Sequence, residues 1–302
     1  MRIANPIYDV VFKYLLSDNK IAKLLIAAII GEDIIELDLK STEHQSDIAS
    51  RNLLVYRLDF AAKIRNADGT EKLILIEIQK AKLASDIMRF RRYLGSQYAS
   101  DNNVIAESVD KYNALPIITI YFLGHKLEHT KVPIIKVQRE YKDIASGEVI
   151  KEKETFIECL THDSFIIQIP FLSKNRKTEL EALLSIFDQS MTESSRHFLE
   201  LNENDYPEKY HEVIRRLVKA AAEPAVREVM TVEDEILNDF NALERTIQKK
   251  DEAIAEKDEA IAEKDEQLIE KDEAIEHAIT LLADKLNITR EAAELMINDG
   301  RN

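Results

Sequence analysis

Residues 56–80 read YRLDFAAKIRNADGTEKLILIEIQK. Side chains of alternating character flank the dipeptide Asp68-Gly69, a pair that favours a tight turn between two strands. The pattern predicts one strand at about 53–65 and a second at 71–79, joined as a β-hairpin.

Each strand of this hairpin carries one acid, Asp59 in the first strand and Glu77 in the second. Both acids are nine residues from Asp68, so a loop centred on Asp68 places them directly opposite each other. Such an odd-length loop needs a residue with left-handed backbone geometry, which Gly69 provides. A two-residue turn would instead place the acids on opposite faces of the hairpin.

The alternation of the two strands separates an apolar face from a face that carries the acids. The apolar face holds Tyr56, Leu58, Phe60, Ala62, Ile64, Ile74, Ile76 and Ile78, and the other face holds Arg57, Asp59, Ala61, Lys63, Leu73, Leu75, Glu77 and Gln79. Like charges directly opposite each other destabilise a sheet. A bound divalent cation such as Mg²⁺ or Mn²⁺, which prefers oxygen ligands, would explain the acids. The alternative is a half-exposed hairpin with its acids in water.

Six stretches combine these acids with arginines and buried strands: YDVVFKYLL (8–16), RLDFAAKI (57–64), IEIQK (76–80), RFRRYLGSQY (89–98), PIITIYFLG (116–124) and FIIQIPFL (165–172). Together they resemble the PD-(D/E)XK nuclease superfamily, and more narrowly its recombination-promoting nuclease family of transposase-like proteins. The resemblance covers about residues 6–175. It implies an α/β fold with a restriction-endonuclease-like core, a mixed sheet flanked by helices that binds metal at the sheet edge.

The same resemblance implies a metal-dependent DNA endonuclease. Asp59 and Glu77 would bind Mg²⁺ or Mn²⁺, together with the backbone carbonyl of Ile78. The superfamily has a lysine where this chain has Gln79, and glutamine cannot supply a positive charge to the transition state. Either Lys63, on the face of Asp59, replaces that lysine, or Gln79 itself orients water or phosphate.

Two further residues bear on this site. Lys80 follows Gln79 and points to the opposite face of the strand. Asp9 matches the family's Asp-x-x-Phe-Lys pattern and, by that resemblance, is a third acid that holds a metal-bound water. The alternative for Asp9 is an ion pair with Lys13, four residues along the same helix.

A helix is predicted at about 84–99, after the second strand. Its polar residues are expected to contact the DNA backbone, because arginine forks suit phosphate groups; they are Arg89, Arg91, Arg92 and Gln97. The alternative is a solvated helix face with an apolar face underneath, formed by Ile87, Phe90, Leu94 and Tyr98.

The other elements follow from caps and periodicity. Asn5 is expected to cap a first helix that has Pro6 in its first turn, and Gly31 to end a second helix at about 18–30. Residues 41–52 are expected to form a polar loop. Further strands are expected at 115–124, 132–141 and 164–172, and from about residue 174 the pattern favours helix.

Residues 250–277 repeat the heptads KDEAIAE, KDEAIAE, KDEQLIE and KDEAIEH. An apolar residue recurs every seven positions, at Ile247, Ile254, Ile261, Leu268, Ile275 and Leu282. Lysine or aspartate replaces the second apolar position of a coiled coil. The repeat therefore predicts either weak homo-oligomeric pairing through residues 240–285, which the strict period favours, or a solvated spacer helix.

The formal net charge of −15 is concentrated in the tail. Residues 233–302 hold 21 Asp and Glu against 9 Lys and Arg, whereas residues 1–111 hold 16 of each, so the N-terminal part is free to present a basic face to DNA. Cys159, the single cysteine, excludes an internal disulfide. Short apolar runs, no signal-peptide pattern and no glycine-rich phosphate loop predict a cytoplasmic protein without membrane or nucleotide partners.

These patterns predict a nuclease-like core at 1–175, a helical extension at 176–239, a heptad helix at 240–285 and a short terminal helix at 286–302. Two functions are compatible with this organisation. One is a DNA endonuclease acting in recombination or in a mobile element. The other is a non-catalytic interaction protein that uses the nuclease fold as a scaffold and acts through its acidic tail. The presence of Asp59, Glu77 and Gln79 favours the enzyme.

Overall fold

The computed structural model describes residues 1–40, 60–80, 86–101, 103, 114–172, 177–192 and 196–299. The helices are α1 (Asp9–Leu16), α2 (Asn19–Ile30), α3 (Asp86–Tyr98), α4 (Thr155–Leu160), α5 (Glu179–Leu184), α6 (His211–Ala222), α7 (Pro224–Leu286) and α8 (Arg290–Asp299). The strands are β1 (Arg2–Ala4), β2 (Ile34–Lys40), β3 (Phe60–Asn66), β4 (Glu71–Gln79), β5 (Ile117–Leu123), β6 (Ile134–Val137), β7 (Tyr141–Lys142), β8 (Val149–Ile150), β9 (His162–Gln168) and β10 (Phe198–Glu200).

A mixed sheet forms the centre of the protein. Among the described residues it has six strands in the order β2-β3-β4-β5-β9-β6. Strands β4, β5 and β9 are parallel, and the remaining neighbours are antiparallel. The predicted α/β class with helices flanking a mixed sheet is therefore confirmed. The expected strands at 115–124, 132–141 and 164–172 correspond to β5, β6 and β9.

The hairpin of β3 and β4 has the register expected for a loop centred on Asp68. Its pairs run from Arg65 opposite Glu71 to Phe60 opposite Ile76. Gly69 has a φ of +85°. The Asp68 carboxylate accepts hydrogen bonds from the backbone N–H of Thr70 at 2.9 Å and from its hydroxyl at 2.6 Å, which holds the odd-length loop. Asp59, the rest of the predicted first strand and the expected loop at 41–52 lie outside the described residues.

Both faces of the hairpin are buried, which differs from the half-exposed hairpin considered above. One face joins the main core, to which α1, α2, α5 and α6 also contribute. The other face forms a smaller core with α3, made of Ala61, Leu73, Leu75, Phe90, Leu115 and Ile117. The expected apolar side of α3 is partly wrong. Ile87 and Tyr98 are exposed, because the contact stripe runs through Phe90, Tyr93 and Leu94 in the middle of the helix.

The first helix begins later than expected. Tyr8 is its N-cap, and α1 starts at Asp9. Asn5 therefore lies too early to cap α1: its Oδ1 accepts from the backbone N–H of Ile7 at 3.2 Å in the turn before the helix, and its amide group donates to Gln189 Oε1 and to the carbonyl of Arg196, each at 2.8 Å. The second helix is as expected, with Gly31 at φ +73° in its C-cap.

The region after residue 174 is not all helix. Strand β10 pairs antiparallel with β1, which precedes the first helix, and neither strand is predicted. Residues of α5 and α6 belong to the main core beneath the sheet. Contacts between Cα atoms divide the chain into a first unit at 1–233 and a second unit at 234–302. None of the helices in the described part of the chain is long and apolar enough to cross a bilayer.

Candidate functional site

Glu77 is the central residue of the candidate site. It lies near the carboxyl end of β4, where its parallel neighbour on β5 is Tyr121. The strand alternation directs it to the same face as Leu73 and Leu75, which pack in the smaller core. Its side chain is only 2% exposed. Burying a carboxylate is costly unless other groups compensate it, so the surroundings of Glu77 determine its energy.

Two tyrosines lie in the electric field of Glu77. Burial raises the pKa of Tyr93 on α3 to about 12, and the negative charge of Glu77 contributes to that shift. Burial also raises the pKa of Tyr121, again with a contribution from Glu77. Both phenols therefore remain protonated hydrogen-bond donors at neutral pH. Sequence reasoning missed both; the spacing of Tyr93 three residues after Phe90 was the available signal.

Lys63 does not approach Glu77. It pairs in register with Leu73, and four residues of β4, about 13 Å, separate Leu73 from Glu77. Its ammonium group forms an ion pair with Glu71 at 2.7 Å, in the direction of the loop. This pair lowers the pKa of the Glu71 carboxyl. The structure thus does not bring Lys63 to the position of the superfamily lysine.

Gln79 lies at the last position of β4, where three parallel strands end. Its carbonyl accepts a hydrogen bond from the N–H of Gly124 at 2.6 Å. A Cβ on Gly124 would lie 2.8 Å from that carbonyl oxygen and closer still to the carbonyl oxygen of Lys80. The glycine therefore lets the chain after β5 pass against the end of β4. Ile78, whose carbonyl is a predicted metal ligand, has its side chain in the main core.

Lys80 and Asp9 lie on the other side of the sheet from Glu77. The Lys80 ammonium is 3.5 Å from the centre of the Tyr8 ring, so the beginning of α1 lies at the carboxyl end of β4. Asp9 Oδ2 accepts from Lys13 at 2.7 Å, which is the ion pair considered as the alternative for Asp9. Its other oxygen, Oδ1, is buried without a hydrogen-bond partner in the described structure. Its expected role in holding a metal-bound water stays a prediction.

Glu233 joins this cluster from α7 and was missed in the sequence. Its two carboxylate oxygens accept from the backbone N–H groups of Asp9 at 3.0 Å and Val10 at 2.9 Å. It thereby satisfies two donors at the beginning of α1 that no intrahelical carbonyl can reach. Burial, together with the negative charge of Asp9, raises the pKa of Glu233 to about 7.

This raised pKa predicts a pH-dependent stability. Because the folded protein holds the Glu233 proton more tightly than the unfolded chain does, the stabilisation is complete below pH 4.5 and is lost as the pH rises to about 7. We expect the free energy of unfolding of Glu233→Gln, relative to the wild type, to rise by roughly 2 to 3 kcal/mol over that window. Urea unfolding at several pH values measures it. Glu228→Gln, at an exposed position of α7, should show no such trend, and a constant difference for Glu233→Gln would contradict the prediction.

The structure describes the side chains of two of the three arginines of α3. Arg91 and Arg92 are exposed, whereas the side chain of Arg89 lies outside the described residues. Gln97 is half-buried, and its expected role in DNA binding stays a prediction. Its Oε1 accepts from Asn103 Nδ2 at 3.0 Å, and its side chain also bonds Tyr93.

The described residues contain no group of three or more His, Cys, Asp or Glu side chains that could hold a metal ion. The predicted metal pair includes Asp59, which lies outside the described residues, so this finding does not bear on that pair. Comparisons of the chain with protein-family models, with curated proteins and with solved structures found no match.

Proposed function

We propose that the protein is a metal-dependent DNA endonuclease. The observation that carries this proposal is the burial of Glu77, a carboxylate on a hairpin whose described pairs have the register predicted for a loop centred on Asp68. A hairpin followed by a parallel strand, with helices on both faces, also fits a restriction-endonuclease-like core. Incubating the purified full-length protein with supercoiled plasmid in Mg²⁺, Mn²⁺ or EDTA tests the proposal.

The residues have distinct roles in this reaction. Asp59 and Glu77 would hold the cation, with the Ile78 carbonyl as a further oxygen ligand. A divalent cation supplies charge stabilisation at the phosphorus and a hydroxide near neutral pH. Gln79, beside Glu77 at the end of β4, would orient water or phosphate.

Tyr93 and Tyr121 shape the surroundings of Glu77. Their raised pKa values keep both phenols protonated, so they add no negative charge beside the carboxylate. Their hydroxyls form hydrogen bonds with Gln97 and Thr119, respectively.

DNA binding by α3 leads to a prediction about salt dependence. Arg91 and Arg92 are exposed, and each neutralised phosphate releases counterions. We expect the double variant Arg91→Ala/Arg92→Ala to weaken DNA binding and to reduce the slope of log K against log salt by about 2. Fluorescence anisotropy at several salt concentrations measures the slope.

A control of equal charge comes from α6. Arg215 and Lys219 are exposed there, and their double alanine variant removes the same two charges from a different surface. It should leave the slope near the wild-type value. If the α3 variant keeps the wild-type slope, the DNA does not run along this helix.

The second candidate function, an interaction protein acting through its tail, rests on a specific observation. Ile247, Ile254, Ile261 and Leu268 are each more than half exposed on α7. A homo-oligomer formed through residues 240–285 would cover them. This candidate predicts self-association without nuclease activity, so the plasmid assay and sedimentation separate the two functions.

A further inference from the structure

The heptad residues of α7 form an exposed apolar stripe, which ends where α8 follows the helix. Its members Ile247, Ile254, Ile261 and Leu268 are between 55% and 57% exposed. The next two heptad positions, Ile275 and Leu282, are partly buried where α8 follows, and Ile279 and Ala293 are buried there. The uncovered part thus runs from residue 247 to residue 268, about 32 Å along the helix.

The two flanks of this stripe carry opposite charges. Around Ile261, the residues four before and three after it are Lys257 and Lys264, while those three before and four after it are Asp258 and Asp265. At 3.5 residues per turn, both lysines lie about 50° to one side of Ile261 and both aspartates about 50° to the other side. The same arrangement surrounds Ile254 and Leu268.

This asymmetry distinguishes the two ways in which a second copy can pack. When two identical helices pair in parallel, the left flank of one faces the right flank of the other, so lysines face aspartates on both sides. When they pair antiparallel, like flanks face each other, so lysines face lysines and aspartates face aspartates. Only the parallel pair has charge complementarity.

The heights of the charges agree with the parallel arrangement in register. With Ile261 opposite its copy, Lys264 of one chain lies beside Asp265 of the other, one residue or about 1.5 Å away along the axis. Lys257 and Asp258 are related in the same way. The apolar layers then meet every seven residues, and lysine stems cover the seam between them.

We propose that α7 pairs with a second copy of this chain as a parallel, in-register coiled coil through residues 247–268, with ion pairs between lysine and aspartate along both flanks. The proposal adds an orientation and a register to self-association. It is independent of the proposed nuclease activity, because every residue in it belongs to the second unit. In such a parallel pair the N-terminal ends of the two paired segments lie side by side.

Disulfide trapping in the full-length chain tests the orientation. Cys159→Ser removes the native thiol, and Ile247→Cys or Leu268→Cys is then introduced separately. In a parallel in-register pair each variant should form a disulfide with its own copy under mild oxidation, because equal positions face each other. Glu256→Cys, on the opposite side of the helix, is the matched control and should not form one.

A mixture of Ile247→Cys and Leu268→Cys chains distinguishes the parallel pair from an antiparallel pair. In an antiparallel pair residue 247 of one chain lies near residue 268 of the other, and a mixed disulfide between differently tagged chains would form instead. That product would overturn the proposed orientation.

Sedimentation tests the pairing itself. Ile254→Asn with Ile261→Asn should raise the dissociation constant of the wild-type pair at least about tenfold, since a polar residue in the seam costs stability. Raising the salt concentration should weaken the pair as well. A wild-type protein that remains monomeric at all concentrations would refute the proposal, whatever the outcome of the plasmid assay.

Discussion

Glu77→Gln is expected to abolish metal-dependent DNA cleavage while the protein remains folded. The amide keeps the shape of the carboxylate but cannot bind a divalent cation as a charged ligand. Losing several kcal/mol of transition-state stabilisation corresponds to a fall in rate of at least about 100-fold. The melting temperature should stay the same or rise, because a neutral amide is less costly to bury than a carboxylate. Asp59→Asn should have the same effect on cleavage.

The matched control is Glu71→Gln on the same strand and the same face. Glu71 pairs with Lys63 and Arg65 near the loop, six residues before Glu77. Its variant should cut supercoiled plasmid at nearly the wild-type rate in Mg²⁺ or Mn²⁺. Full cleavage by Glu77→Gln and Asp59→Asn would remove the proposed site, and equal losses in Glu77→Gln and Glu71→Gln would mean that the hairpin acts only through its stability.

Gly124→Ala is expected to be the most destabilising of the substitutions considered. Its new Cβ would meet the carbonyl oxygens of Gln79 and Lys80 well inside normal contact distance, and neither backbone group can swing away as a side chain can. We expect a loss of about 3 kcal/mol in the free energy of unfolding, at the upper end of overpacking effects. Differential scanning calorimetry should show a melting temperature lower by roughly 6 to 12 °C.

Gly95→Ala provides the control for this glycine. Gly95 lies within α3, and a Cβ there would have no atom within 4 Å. Alanine in a helix is more stable than glycine by about 0.5 to 1 kcal/mol, so this variant should be slightly more stable than the wild type. An equally stable Gly124→Ala would show that β4 and the chain after β5 separate without cost.

The hairpin register was predictable because its determinants are close together in the sequence. Gly69 takes the left-handed conformation, Asp68 bonds the next residue but one, and the alternation of apolar side chains penalises a shift by one residue. The same holds for α2, which ends at Gly31, and for the seven-residue stripe of the tail. In each case the conformation depends on residues that are close together in the sequence.

The beginning of the chain could not be predicted in this way. Asn5 has the residue type of a helix cap, yet its amide bonds Gln189, 184 residues away. Strands β1 and β10 are three residues each and have no periodicity long enough to be recognised. They exist because each satisfies the backbone of the other, which is a property of the folded chain.

Local patterning is enough to place Glu77 on a strand of a hairpin, on the face that alternation assigns to it. The burial of that face, the position of Tyr93 and Tyr121 near the carboxylate, and the ion pair of Lys63 with Glu71 arise only in the folded chain. The raised pKa of Glu233, about 7, arises there as well. Strand and turn geometry depend on neighbouring residues, whereas desolvation and charge–charge interactions depend on groups brought together from distant parts of the chain.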